Sequence, residues 1–196
     1  MLKSDIEISE NSVVSLDEVG RGCLAGPVVA AAVILPKNFN HEIIKDSKKL
    51  SEKKRKEAFN MIKENALSYS ISFITPKEID NLNILQATML AMHNCLESIN
   101  HDFDHILVDG NYFKEYNQVP HTCVIKGDNT YCSIAAASIL AKVSRDEYMK
   151  NLHEEFPEYK WDSNKGYGSS THIKTIKDIG FTEHHRQSFL KNILHS

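Results

Sequence analysis

The sequence lacks a long hydrophobic run. Its longest unbroken apolar stretch, Val28 to Leu35, has eight residues, whereas a membrane-spanning helix needs about 20. It shows no secretory leader, because the opening MLKSDIEISE carries three acids and no apolar block. No cysteine pair has CxxC spacing: Cys23, Cys95, Cys123 and Cys132 are scattered along the chain. That argues against a zinc ribbon or a redox dithiol, and without an export signal it predicts buried free thiols in a reducing, cytoplasmic setting. Excess positive charge is missing as well. Lys and Arg total 23 against 26 Asp and Glu, a formal charge of −3. This excludes a globally basic polymer binder but permits a local basic surface. No period of 20–50 residues repeats and no Pro/Gly/Ser-rich linker interrupts the chain, so one domain over 1–196 is expected.

What is present supports a packed core: 41% of residues are hydrophobic and 25% charged. Residues 13–18 (VVSLDE) read as a strand, followed by the Gly-rich turn VGRGCLAGP and a buried strand, VVAAAVIL, that Pro36 ends. Ser51 opens a helix (SEKKRKEAFNMIKEN), and 68–75 returns as a strand with alternation. Leu85, Met89, Met92, Leu96 and Ile99 recur at helical spacing, with the methionines read as core filler. HILV (105–108) and TCVIK (122–126) are further strands. SIAAASILAKVSRDEYMK is a small-residue helix, 169–179 another, and TEHHRQSFLKNIL reads as helical too. Strands with interleaved helices predict an α/β domain with a mixed sheet and a helical tail.

Carboxylates gather at strand ends. Asp17 and Glu18 follow VVSL, Asp109 ends HILVD, and Asp128 sits just past VIK. A lone Asp after a strand is commonly a turn former, but several at corresponding ends point to a crevice, where α/β sheets place their ligands. Adjacent strand residues face opposite sides, so Asp17 and Glu18 share a site only if the strand ends there. Gly20 and Gly22 permit such a departure. Clustered carboxylates repel and call for cations. An all-oxygen donor set suits Mg²⁺ or Mn²⁺ rather than zinc, and two such ions can clamp the attacking and leaving oxygens of a phosphodiester.

Other features suit nucleic acid. Gly20, Arg21 and Gly22 combine exposed backbone with a fixed cation. From Lys37 to Glu57 eight Lys/Arg face four acids, a surplus that could grip phosphates through residues such as Lys48. Tyr167 stands between glycines, where its ring could lie against a nucleotide. His184, His185 and Arg186 are candidates for phosphate binding or proton movement, and the two adjacent histidines do not form a convincing metal pair.

Seven segments in order, DEVGRG (17–22), DSKKLS (46–51), LVDGN (107–111), KGD (126–128), SIAAASILAKVSRD (133–146), KGYGSSTH (165–172) and TEHHRQSF (182–189), together resemble bacterial ribonuclease HII from about residue 13 to 189. The similar ribonuclease HIII group usually carries lysine where Arg21 stands. The resemblance implies a ribonuclease H-like fold, with a mixed central β-sheet flanked by helices over about 11–150 and a helical, substrate-binding C-terminal region over 151–196. Mn²⁺ or Mg²⁺ is the expected cofactor, and a monomer is expected. The implied activity is endonucleolytic hydrolysis of RNA in RNA–DNA hybrids and incision 5′ of single ribonucleotides in duplex DNA. Asp17, Glu18, Asp109 and Asp128 would then be the catalytic, metal-binding carboxylates, with Asp146 the competitor for the fourth place. Gly20, Arg21 and Gly22 would read the ribose 2′-hydroxyl, Tyr167 would stack on the following sugar, and Ser138 and Lys142 would lie near the substrate backbone. The alternatives are a non-catalytic nucleic-acid-binding module, which would have lost an acid, and a metal-dependent small-molecule phosphatase, which would leave Arg21, Tyr167 and the basic surplus without a role.

Overall fold

The computed structural model describes residues 2–3, 12–44 and 50–194. Five strands, β1 (Val13–Val19), β2 (Val28–Ile34), β3 (Ser68–Ile74), β4 (His105–Asp109) and β5 (His121–Val124), form one sheet in the order β3-β2-β1-β4-β5. β1 pairs antiparallel with β2, and β2 with β3; β1 pairs parallel with β4, and β4 with β5. The sheet is therefore mixed, as the sequence predicts.

Helices cover both faces. β2 is buried along its whole length, which explains why its sequence is an apolar run rather than an alternation. Val28, Ala30, Ala32 and Ile34 pack in one cluster with Met89, Met92, Cys95 and Leu96 of α3 (Ile84–Ser98). Val29, Ala31 and Val33 pack in the other with Ala135, Ala136, Ile139 and Leu140 of α4 (Cys132–Glu155) and with Ala58 and Ile62 of α1 (Glu52–Asn65). The alanines of β2 and α4 let the helix approach the sheet closely. Ser51 caps α1 by accepting from the Lys54 N–H.

The same parity governs the central strands. Val14, Leu16, Ile106 and Val108 face α3, whereas Val13 and Leu107 pack with Ile134 of α4. Asp17 and Asp109, in step with Val13 and Leu107, therefore point to the α4 face.

Three elements depart from the sequence reading. α2 (Pro76–Leu82) was not anticipated, although its signals are local: Thr75 and Glu78 form a reciprocal capping box with Pro76 in the first turn. β5 stops at Val124 rather than continuing through Lys126, because Lys126 turns left-handed (φ 57°) into a short 3-10 turn over Gly127–Asn129. The expected helix over 182–194 is helical only as α7 (Gln187–Leu194). Residues 184–186 instead run beside the loop after β1: the Gly26 N–H donates to His184 O at 2.8 Å, and the Arg186 N–H to Leu24 O at 2.8 Å. That pairing satisfies backbone groups of the Gly-rich loop that a helix would leave unmet. α7 begins where Asp80 of α2 accepts from the N–H groups of Gln187 and Ser188, a cap supplied from a distant element.

The C-terminal region also contains α5 (Trp161–Asn164) and α6 (Ser170–Ile179). It packs on the body of the chain through Leu24, Ala25, Met149, Leu152, Tyr159, Trp161, Ile176 and Leu190. The Gly-rich loop is thus wedged between the sheet and the C-terminal helices. The four cysteines are free, three buried and Cys123 half-buried. Among the described residues no helix is long and apolar enough to cross a membrane.

Candidate active site

A cavity of about 400 Å³ opens where β1 and β4 end, lined by Asp17, Glu18, Val19, Asp109, Ser138, Lys142 and Tyr167. The parallel register pairs Leu16 with Val108, so Asp17 and Asp109 follow side by side on adjacent strands. Glu18 lines the same cavity although β1 continues through Val19. The expectation that the strand must end at Glu18 does not hold. The cavity lies off the end of β4, where Glu18 has no further strand neighbour on that side, so carboxylates from both faces of β1 can reach it.

The electrostatics of this group are those of crowded, buried carboxyls. Asp17 is 5% exposed, and its carboxyl is pushed well above the usual range by burial, then by the charges of Glu18 and Asp109. A hydrogen bond from Ser138 and the Glu18 N–H, at 2.7 Å from Asp17 Oδ1, act in the opposite direction. Burial also raises Glu18, against the lowering effect of Arg21, whose Nη1 lies 3.2 Å from Glu18 Oε1. Asp109 Oδ1 accepts from the Gly127 N–H at 2.6 Å, so one oxygen is fixed toward the protein.

An all-oxygen group of mutually repelling, desolvated carboxylates fits a divalent cation such as Mg²⁺ or Mn²⁺. Among the described residues no group of three or more acids, imidazoles or thiols is gathered tightly enough to hold a metal ion by itself. The open arrangement suits a cation that keeps water and substrate oxygens in its shell. Asp17, Glu18 and Asp109 could hold it.

Other sequence-derived candidates fall in three groups. Ser138 and Lys142 reach the cavity from α4, and Lys142 Nζ also donates to Asp146 Oδ1 at 2.6 Å. Asp146 lies opposite Arg55 as well, at 3.4 Å. It is neutralised by these two cations and does not line the cavity. Asp128 is buried in the 3-10 turn, with Oδ1 accepting from Asn129 Nδ2 at 3.0 Å. It stands next to Gly127, the residue that binds Asp109, but it is not part of the cavity wall. Lys48, with the DSKK segment around it, lies outside the described residues.

The Gly-rich loop continues from Glu18 and Val19 at one edge of the cavity, although Gly20–Gly22 are not part of its wall. Gly20 adopts φ +91°, and a Cβ there would meet Arg145 Nε at 2.3 Å. Gly22 has open space where a side chain would begin, and the Arg21 side chain is exposed. Tyr167 lines the cavity wall and is 43% exposed. Its hydroxyl turns inward to hydrogen-bond with Cys23, and burial pushes it up to about 12. The Cys23 thiol is itself raised by burial, against the pull of Arg145 and Arg186, which keeps it protonated and unreactive at neutral pH.

Sequence reasoning missed how the rims are built. Arg145 and Arg186 are both fully buried. Neither pairs with Asp146 or reaches toward a phosphate. Arg145 donates to the carbonyls of Pro27, Ala25 and Lys165 at 2.8, 3.0 and 2.7 Å. Arg186 donates to the carbonyls of Gly26 and Arg21, and burial pulls its guanidinium down to about 10. His185 is likewise internal: its Nε2 lies 3.2 Å from His172 Nε2, and its Nδ1 accepts from the Thr182 N–H at 3.0 Å. Burial lowers it to about 4, so at neutral pH it is an uncharged structural group rather than a phosphate ligand.

A family model for ribonuclease HII matches residues 14–192. The chain belongs to the ribonuclease HII family. It is 53% identical over 178 residues to the ribonuclease HII of Christiangramia forsetii, covering 91% of this chain and 90% of that protein. It is 52% identical over 173 residues to that of Bacteroides thetaiotaomicron, covering 88% and 86%. It is similar in structure to ribonuclease H2 of Pyrococcus horikoshii, with a TM-score of 0.76 and 25% identity over 94% of this chain and 97% of that one. A Bst ribonuclease HIII crystallised in complex with Mn²⁺ shares the fold, with a TM-score of 0.76 at 18% identity over 96% and 71%. The fold is therefore ribonuclease H-like. As a member of this family, the protein is a ribonuclease H hydrolase, an endonuclease of a family that uses divalent metal ions.

The electrostatics yield a stability prediction for the chelated protein. A carboxyl raised in the fold contributes stability that is full below its unfolded value and is lost as pH rises through its folded value. Ionised Asp17 should therefore cost stability at neutral pH. Asp17→Asn should raise Tm at pH 7 in EDTA by about 2–4 °C for each kcal/mol of repulsion and desolvation removed, and the gain should shrink toward pH 4. Differential scanning calorimetry across that range checks it; a lower Tm for the variant at pH 7 contradicts the reading.

Proposed function

We propose that the cavity hydrolyses the RNA strand of RNA–DNA hybrids and incises on the 5′ side of a single ribonucleotide in duplex DNA, leaving 3′-hydroxyl and 5′-phosphate ends. The observation that carries this reading is the arrangement of two unlike rims around one acid group. The exposed Arg21 and Gly22 follow Glu18 and Val19 at the cavity's edge, and the half-exposed Tyr167 lines its wall.

In this reading Asp17, Glu18 and Asp109 are the catalytic, metal-binding carboxylates, completed by Asp128 through the turn that Gly127 anchors. Bound there, two Mn²⁺ or Mg²⁺ ions would supply Lewis-acid activation of water and stabilise charge on the departing 3′-oxygen. The chain's own part is positioning. Asp109 is oriented by the Gly127 N–H and Asp17 by Ser138, so the acids are fixed before substrate arrives. Lys142 and Arg21 offer positive charge to the phosphates beside the scissile bond, and Lys48 would extend that contact along the backbone.

Recognition falls to the rims. The 2′-hydroxyl is the only group that distinguishes a lone ribonucleotide from its DNA neighbours. Backbone groups of Gly20, Arg21 and Gly22 would bond it at fixed geometry, with the open space at Gly22 admitting the ribose. The Tyr167 ring would pack on the next sugar, which a deoxyribose fits and an added hydroxyl would crowd. The reading takes residues 1–196 as one domain, working as a cytoplasmic monomer, in which 151–196 carries the substrate-binding extension.

Two measurements test this. Asp109→Asn removes one anionic ligand while keeping an oxygen for the Gly127 N–H. It should abolish cleavage of a hybrid in Mg²⁺ or Mn²⁺ and leave hybrid binding within about threefold, since 1.4 kcal/mol would be tenfold. Turnover like that of the unchanged enzyme would remove Asp109 from the mechanism. Tyr167→Ala should cost about 1–3 kcal/mol, by analogy with base–aromatic stacking, and more on a single-ribonucleotide duplex than on a long hybrid. An equal fall in kcat/KM on both substrates would sink the junction role.

A further inference from the structure

We propose that Arg145 is a specificity-determining positioning residue: its buried guanidinium locks the Gly-rich loop and the Tyr167 turn into one rigid reader. The inference rests on the roles given above to Gly20–Gly22 and Tyr167, and it identifies what makes those two segments act together.

The geometry is that of a clamp. Arg145 projects from α4 and is fully buried. Its Nε donates to Pro27 O at 2.8 Å and its Nη2 to Ala25 O at 3.0 Å, both at the far end of the Gly-rich loop. Its Nη1 donates to Lys165 O at 2.7 Å, two residues before Tyr167. The planar guanidinium thus spends three separate nitrogens on both segments at once, a spread that an ammonium, whose donors all radiate from one nitrogen, cannot match. None of these three donors goes to a carboxylate. Backbone dipoles take the place of a counter-ion, so the guanidinium stays where the carbonyls hold it. Its Cζ also lies 6.0 Å from the centre of the Tyr167 ring, at the limit of a cation–π contact.

The glycines supply a second, independent observation. A Cβ at Gly20 would meet Arg145 Nε at 2.3 Å, and one at Gly26 would come within 3.3 Å of Arg145 Nη2 after striking Met149 Sδ at 2.3 Å. A Cβ at Gly166 would meet Ala25 O, an Arg145 acceptor, at 2.4 Å. Gly20 and Gly166 are therefore shaped around this guanidinium and its acceptor, and Gly26 chiefly around Met149 beside it. Gly22, by contrast, has nothing near it. The structure thus divides the GRG motif: Gly20 makes room for the clamp, and Gly22 leaves room for the substrate. The two segments also bond directly, Leu24 and Ala25 N–H both donating to Gly166 O. Arg145 completes that contact from below.

A clamp of this kind affects discrimination more than chemistry. If the Tyr167 ring drifts relative to the loop, a long hybrid still offers alternative registers, but a single ribonucleotide offers one. A displacement of about 1 Å can cost a hundredfold in rate. Arg145→Lys keeps the charge and loses the fork, and should lower the ratio of kcat/KM on a single-ribonucleotide duplex to that on a long hybrid by about tenfold. Both substrates are measured on the same preparation, so the ratio does not depend on how much of the enzyme is folded. A purely structural role would leave it unmoved. Should Arg145→Lys fail to fold, Arg145→Gln retains a planar two-donor head and is expected to show the same direction of change.

The double variant Arg145→Lys/Tyr167→Ala should have the same ratio as Tyr167→Ala alone, because the clamp acts through the ring. An unchanged ratio for Arg145→Lys, or multiplicative effects in the double variant, would overturn the clamp while leaving the tyrosine reading intact. An unchanged ratio for Tyr167→Ala would instead overturn the tyrosine reading, and the clamp with it.

Discussion

The site depends on the parallel pairing of β1 with β4. An antiparallel neighbour would bring the start of β4 next to the end of β1 and leave Asp109 at the opposite edge of the sheet. Parallel pairing with Leu16 opposite Val108 brings the end of β4 beside Asp17, and the shared parity of Asp17 and Asp109 sends both carboxylates toward α4. The pairing is maintained by burial on both sides: α3 and α4 cover β1 and β4 with continuous apolar clusters. A one-residue slip would exchange the faces and bury Asp17 under α3. The repulsion among the acids is thus held in place by a sheet register that the hydrophobic core enforces.

Charge is arranged in two layers. Unlike the open carboxylates, Arg145 and Arg186 are sealed behind the Gly-rich loop and solvated entirely by carbonyl oxygens. Burying a charge is costly unless it is hydrogen-bonded throughout, and here the cost is offset by ordering a loop that has little apolar surface of its own. Between the layers, Tyr167 has an open ring face and a hydroxyl hydrogen-bonded with the protonated Cys23. A rigid, preorganised rim is what a site needs if it is to register one hydroxyl group.

Much of this was legible in the residues. Strand-end positions marked Asp17, Glu18 and Asp109, and the alanine-rich segment 133–141 announced a helix that lies close on the sheet. What stayed hidden was tertiary. Asp80 reaches across to cap α7, and no local pattern signals a cap supplied from another element. The 182–186 segment looked helical because its backbone partners, Leu24 and Gly26, lie far away in the sequence. Arg145 and Asp146 are neighbours in sequence, yet on α4 Arg145 points inward while Asp146 meets Lys142 and Arg55. Gly20 and Gly22 are alike in sequence but differ in surroundings, and only the packing separates them.

The central claim is that this acid group, framed by the Gly-rich loop and Tyr167, directs water onto the phosphate on the 5′ side of a ribonucleotide. End-group mapping on a DNA duplex containing one ribonucleotide, incubated with the purified protein and Mn²⁺, tests it most directly. The account predicts a single cut immediately 5′ of the ribonucleotide, with a 3′-hydroxyl on the upstream DNA and a 5′-phosphate on the ribonucleotide. A cut on the 3′ side, or an end bearing a 2′,3′-cyclic phosphate, would mean that the ribose hydroxyl and not water is the nucleophile, and would contradict it.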